Sequence, residues 1–167
     1  KKMRFERAMR EDEGSVYIPL GTPLTDNRIF SGNLSYSKGS TLLHMMRFVL
    51  NDDAVFFQVL KDYLEIYGDS VATGMDFKAV LENSSGMDFN DFFDQWYFGF
   101  GYPIFDVSWG QVGNTLTINS DQTSSSAKTT LFKTPMEYKL EYAGGDTIVR
   151  VDHLLNNEVY TFDISHD

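Results

Sequence analysis

Apolar residues recur at helical spacing through the first hundred positions and alternate with polar ones after Pro103. Leu42, Leu43, Met46, Val49 and Leu50 mark one face of a helix that Asn51-Asp52 ends. Phe56, Leu60, Tyr63 and Tyr67 form the stripe of the next helix, which stops at Gly68. Thr73 and Asp76 have the spacing of a capping box, with Asp in the place of Glu. The helix they open carries Phe77, Val80 and Leu81 and stops at Gly86. Asp88 can cap a last helix with the stripe Phe89, Phe92, Phe93, Trp96 and Phe100. Residues 2–12 read as a short polar helix. Residues 14–32, with three Gly and two Pro, read as a long loop.

Beyond Pro103 the period becomes two, as in half-buried strands. Phe105, Val107 and Trp109 alternate with polar partners, and so do Leu116 and Ile118 after a turn at Val112-Gly113-Asn114. Met136, Tyr138, Leu140 and Tyr142 repeat the pattern before a hairpin turn at Gly144-Gly145-Asp146. Residues 147–152 and 158–164 complete five short strands, and the Ser/Thr-rich stretch 121–130 reads as a loop. The expected fold class is α+β, with a helical domain over 1–103 and a small antiparallel β-sandwich over 104–167.

Composition narrows the chemistry. The chain has 167 residues, 42% of them hydrophobic, enough for a packed core. It has no Cys, which removes disulfides, thiolate ligands and cysteine nucleophiles together. A net charge of −10 argues against a nucleic-acid partner, which needs clustered Lys and Arg. No apolar run approaches the ~18–20 residues of a membrane span. His44, His153 and His166 are scattered, with no H-E-x-x-H and no pair at i, i+4. His44 reads as a helix residue flanking the core, and His153 and His166 read as surface residues. The aromatic run from Phe89 to Trp109 reads as core joining the two halves, with Tyr97, Tyr102 and Trp109 the members most able to face outward.

One segment is more specific. Tyr36-Ser37-Lys38-Gly39, followed by the helix that ends at Leu50, resembles the Tyr-x-Lys-Gly segment of the M1 family of zinc aminopeptidases, the gluzincins. Further pieces keep the family's order: Leu43 to Arg47, Phe56 to Leu64, Thr73 to Phe77, Ser85 to Asp88, Phe92 to Trp96, and Gly101-Tyr102-Pro103 as the exit into the next domain. Each piece alone is weak, and their shared order is what makes the resemblance specific.

The resemblance implies the C-terminal helical part of a thermolysin-like catalytic domain followed by a β-sandwich. It also implies a catalytic role for Tyr36. In that family a zinc-activated water attacks the peptide carbonyl, and a Tyr hydroxyl donates a hydrogen bond to the oxyanion that forms. The family's H-E-x-x-H motif and the G-x-M-E-N motif that holds the substrate's free amine are both absent. The chain opens on Lys1-Lys2-Met3, so the expectation is a stretch that begins after the last zinc ligand, with any targeting segment upstream. The other possibility under the resemblance is a natural protein that lost the site. On the first reading the parent's cofactor is zinc and its partner a peptide substrate; on either reading this chain supplies no metal ligand and is inactive alone. A competing reading from a different class is a non-catalytic module that binds peptide or glycan on an aromatic surface.

Overall fold

A computed structural model describes residues 2–164. The chain divides into two compact units, Lys1–Gly101 and Tyr102–Asp167. The first is helical and the second consists of antiparallel strands, so the fold class is α+β.

The helical unit contains α1 (Lys2–Ala8), α2 (Asp26–Ile29), α3 (Gly39–Leu50), α4 (Asp53–Tyr67), α5 (Gly74–Ser85) and the short α6 (Asn90–Phe92). Two π-helical stretches, Gly32–Lys38 and Phe93–Tyr97, run into α3 and continue α6. Helix ends follow local chemistry. Asn51 stops α3 in the left-handed conformation, φ 50°, and the carboxylate of Asp52 then accepts the amides of Ala54 and Val55 to open α4. Thr73 and Asp76 form a reciprocal capping box on α5, and Gly86 ends that helix at φ 69°. Gly68 differs from the usual terminator. Its backbone is right-handed, and a Cβ there would lie 2.5 Å from the Leu64 carbonyl oxygen, so the residue answers a close approach. The core of this unit is built from Leu34, Leu42, Met46, Val59, Leu81, Phe89, Phe92, Phe93 and Trp96, all buried. Phe92 stacks on Trp96 with centroids 6.3 Å apart and meets Phe89 edge-on at 5.8 Å.

Two expectations here are corrected. The first helix ends at Ala8, short of residue 12. The expected loop over 14–32 contains α2, which Thr25 caps by accepting from the Arg28 amide.

The strand unit has β1 (Pro103–Val112), β2 (Thr115–Ser124), β3 (Thr134–Tyr142), β4 (Gly145–His153) and β5 (Asn157–Asp163). One sheet has the order β1-β2-β5 and the other pairs β3 with β4. Rings from the two sheets meet: Phe105 of β1 stands edge-on to His153 of β4 at 5.0 Å, and Tyr138 of β3 lies 6.1 Å from Tyr160 of β5. Residues 121–124 belong to β2, where the sequence suggested loop, because Pro103–Asp106 of β1 pairs with them. Gln122 anchors the connection to β3. Its side-chain amide donates to the Phe132 carbonyl at 3.0 Å and accepts from the Phe132 amide at 2.7 Å, so one side chain holds the returning chain as a neighbouring strand would. The β3–β4 turn falls at Ala143-Gly144, with Tyr142 opposite Gly145, one residue before the expected turn.

His153 is the clearest correction in this unit. It is fully buried, at 0% exposure, where the sequence suggested a surface residue. Its Nδ1 lies 3.3 Å from the Tyr160 hydroxyl, which donates to the Asp152 carbonyl at 3.0 Å. Its Nε2 is buried without a protein partner, as are Ser120 Oγ and the Tyr138 hydroxyl. Burial pushes the imidazole below its ordinary pKa, against the opposing pull of Glu158 and Asp121, and pushes the Tyr160 phenol up to about 12. His166 lies outside the described residues.

Candidate functional site

The Tyr36 segment is built from a serine cap and a widened helical turn. Ser31 Oγ accepts the Leu34 amide at 3.1 Å and starts the helix. The cap is Ser31 rather than Asn33 or Ser35, and Tyr36 sits inside the helix, past its first turn. The Tyr36 amide reaches back five residues to the Ser31 carbonyl at 3.2 Å, the spacing of a π turn. Ser37 Oγ donates to the Gly32 carbonyl at 2.7 Å and ties the turn from inside. Leu34, Ser37 and Lys38 face the interior, whereas Tyr36 stands 60% exposed.

Lys38 is the buried counterpart of Tyr36. Only 5% exposed, its Nζ donates to the carbonyls of Gly14 at 2.9 Å and Gly99 at 3.1 Å. Desolvation pushes its pKa down to about 8. Leu34 fills the space beside Gly14. A Cβ on Gly14 would come within 2.5 Å of Leu34 Cδ1.

A second cation holds the same strap. Arg28 Nη2 donates to the carbonyls of Ser15 at 2.8 Å and Tyr17 at 2.9 Å, and the Tyr17 amide donates to the Tyr97 carbonyl at 3.1 Å. Residues 14–17 are thus fixed by side chains from α2 and from the Tyr36 helix, and by the backbone of the second π-helical stretch. Sequence reasoning missed both cations. The only signal was the place of Lys38 in the Tyr-x-Lys-Gly segment.

Beside the start of the Tyr36 helix lies a hollow of about 440 Å³ lined by Asp26, Asn27, Phe30, Ser31, Gly32 and Asn33. Phe30 is exposed there. An exposed phenol on a held helix can donate a hydrogen bond to a substrate oxygen. The residues around it do not fit a zinc ion. Among the described residues no three His, Cys, Asp or Glu side chains gather closely enough to hold a metal. His44 is partly buried on α3, 6.1 Å from the Phe5 ring. No helix among the described residues is long and apolar enough to cross a membrane. The aromatic surface of the competing reading is not available at Phe89, Phe92, Phe93 and Trp96, which are buried, although Trp109 in the strand unit is 71% exposed.

The family model for the Peptidase family M1 domain matches residues 3–96. The chain belongs to peptidase family M1. It is 36% identical over 118 residues to an aminopeptidase N of Lactococcus lactis, a match covering 71% of this chain and 14% of the relative. It is 32% identical over 139 residues to a probable aminopeptidase 2 of Sulfurisphaera tokodaii, covering 81% of this chain and 16% of the relative. The chain therefore spans about a seventh of the length of these relatives. Among solved structures, the aminopeptidase A of Legionella pneumophila, crystallised in complex with aspartic acid, superposes with a TM-score of 0.61 at 16% identity. That likeness covers 93% of this chain and 18% of the other and concerns the fold.

Proposed function

We propose that this chain is part of a zinc-dependent aminopeptidase that removes N-terminal residues from peptides, and that Tyr36 is its oxyanion donor. In this reading residues 1–103 are the end of the catalytic domain and residues 104–167 the β-sandwich that follows. The chain brings no zinc ligand and is inactive by itself. The observation that carries the reading is the exposed position of Tyr36 on a helix whose opposite side is fixed by Lys38, in a chain of the M1 family.

The chemistry of Tyr36 follows from its hydroxyl. A phenol keeps its proton at neutral pH and so donates. As a peptide carbonyl becomes tetrahedral its oxygen gains charge, and a donor aimed at that oxygen is worth more in the transition state than in the ground state. Tyr36→Phe removes the donor and keeps the ring. In the complete enzyme it is expected to lower kcat by about 10²–10³ and to leave KM nearly unchanged. Steady-state kinetics on an aminoacyl chromogenic substrate, with zinc content and folding measured in parallel, is the test. A folded, zinc-loaded variant with near-normal kcat would return Tyr36 to the scaffold.

A further inference from the structure

A phenol that donates to a developing charge has to be held in place. Tyr36 and Lys38 are two residues apart on one helical turn, and one is exposed while the other is buried. Ser31, Gly32 and Ser37 tie that turn only to itself. The bonds of Lys38 reach further. Its acceptors lie 24 and 61 positions away along the chain. Both acceptors belong to well-held backbone. Gly14 is packed against Leu34, and Gly99, itself buried, follows the core aromatics Phe93 and Trp96. The amine is too enclosed to meet a substrate, which separates it from the exposed lysines that act as nucleophiles or bases.

We propose that Lys38 is the positioning residue for Tyr36: its amine binds the carbonyls of Gly14 and Gly99 to the base of the turn that presents the phenol. The inference rests on the catalytic reading of Tyr36. The two hydrogen bonds fix the turn against two distant parts of the unit. As –NH₃⁺ or as –NH₂ the nitrogen has N–H groups enough for two carbonyls. Positioning of this kind matters because a misplacement of about 1 Å at a reacting group can cost roughly 10²-fold in rate.

The test has a structural arm and a kinetic arm. In this 167-residue chain, Lys38→Met keeps the apolar stem and removes the donors. Hydrogen exchange of the amides of residues 32–39 is expected to quicken by at least about tenfold while α4 and α5 keep their protection. The chain has no Cys, so Lys38→Cys can be alkylated with bromoethylamine in denaturant and refolded, which restores an amine at that position alone. Slow exchange is expected to return with it.

In the complete enzyme, Lys38→Met is expected to lower kcat by about 10–10² with KM unchanged. Added to Tyr36→Phe, it should cost little more, since it acts through the hydroxyl already removed. Unchanged local exchange, a loss of protection spread equally over the helical unit, or a full additional kcat loss in the Tyr36→Phe background would each overturn the proposal. If Tyr36→Phe alone leaves kcat intact, the catalytic reading of Tyr36 falls, and the exchange arm then decides Lys38 by itself.

Discussion

Lys38 donates a hydrogen bond to the carbonyl of Gly99 at 3.1 Å, across 61 positions of sequence. The bond joins the Tyr36 turn to the end of the aromatic helix, and a second one from the same amine joins it to Gly14. Their cost is visible in the basicity of the amine, which burial holds near 8. An ammonium in this place is incompletely compensated for the water it has lost.

That cost has a sign that can be measured. Between about pH 8 and about 10.4 the unfolded chain holds a proton on Lys38 that the folded chain has shed. Folding stability should therefore rise with pH across this window, by up to about 3 kcal/mol in total. Urea unfolding of wild type and Lys38→Met over pH 7–11 isolates the contribution. The difference between the two should change through the window, and parallel curves would mean that the amine is not buried in solution.

His153 predicts the opposite flank. Its folded pKa lies below the unfolded value of about 6.5, so the stability it contributes is fully present above that pH. It is lost as pH falls through 6.5 toward the folded value, by up to about 1.4 kcal/mol per pH unit. Comparing His153→Gln with wild type between pH 4.5 and 8 should flatten this part of the profile. Histidine ring NMR should show one imidazole that stays neutral to lower pH than the others.

Trp96 tests the aromatic core. It is buried and stacked on Phe92. Trp96→Ala should destabilise the chain by about 3–5 kcal/mol, the usual result of truncating a large buried ring. A loss of unfolding free energy, from denaturant titration, of less than a third of that would mean the ring is far more exposed in solution.

Thr73 tests the capping box. Its hydroxyl and the Asp76 carboxylate satisfy each other's backbone amides at the start of α5. Thr73→Ala should lower stability by about 1 kcal/mol, and Thr73→Ser should recover most of it. Equal losses in both variants would locate the effect outside the cap.

Local chemistry was readable from the sequence and distant packing was not. Asn51, the Thr73–Asp76 pair and Gly86 act on backbone within a few residues, and each ends or starts a helix where the sequence places it. The order of pieces around Tyr36 identified the family. Lys38, Arg28 and Gln122 are polar side chains whose partners are carbonyls or amides 10 to 61 positions away, so nothing beside them in the sequence marks them as buried. His153, flanked by Asp152 and Leu154, gives no local hint that Phe105 and Tyr160 enclose it. Ser31 was missed as a cap because the π turn hides where the helix starts.

A π turn is an α turn that has accepted one more residue. The Gly32–Lys38 stretch should therefore be more sensitive to length than to identity. Deleting Asn33 would remove the extra residue and return the stretch to ordinary α winding. The widened turn, with its Tyr36 amide bonded five residues back to Ser31, would then be lost. Among natural variants, substitutions at Asn33 or Ser35 should be common, and single-residue insertions or deletions between Ser31 and Lys38 should be rare.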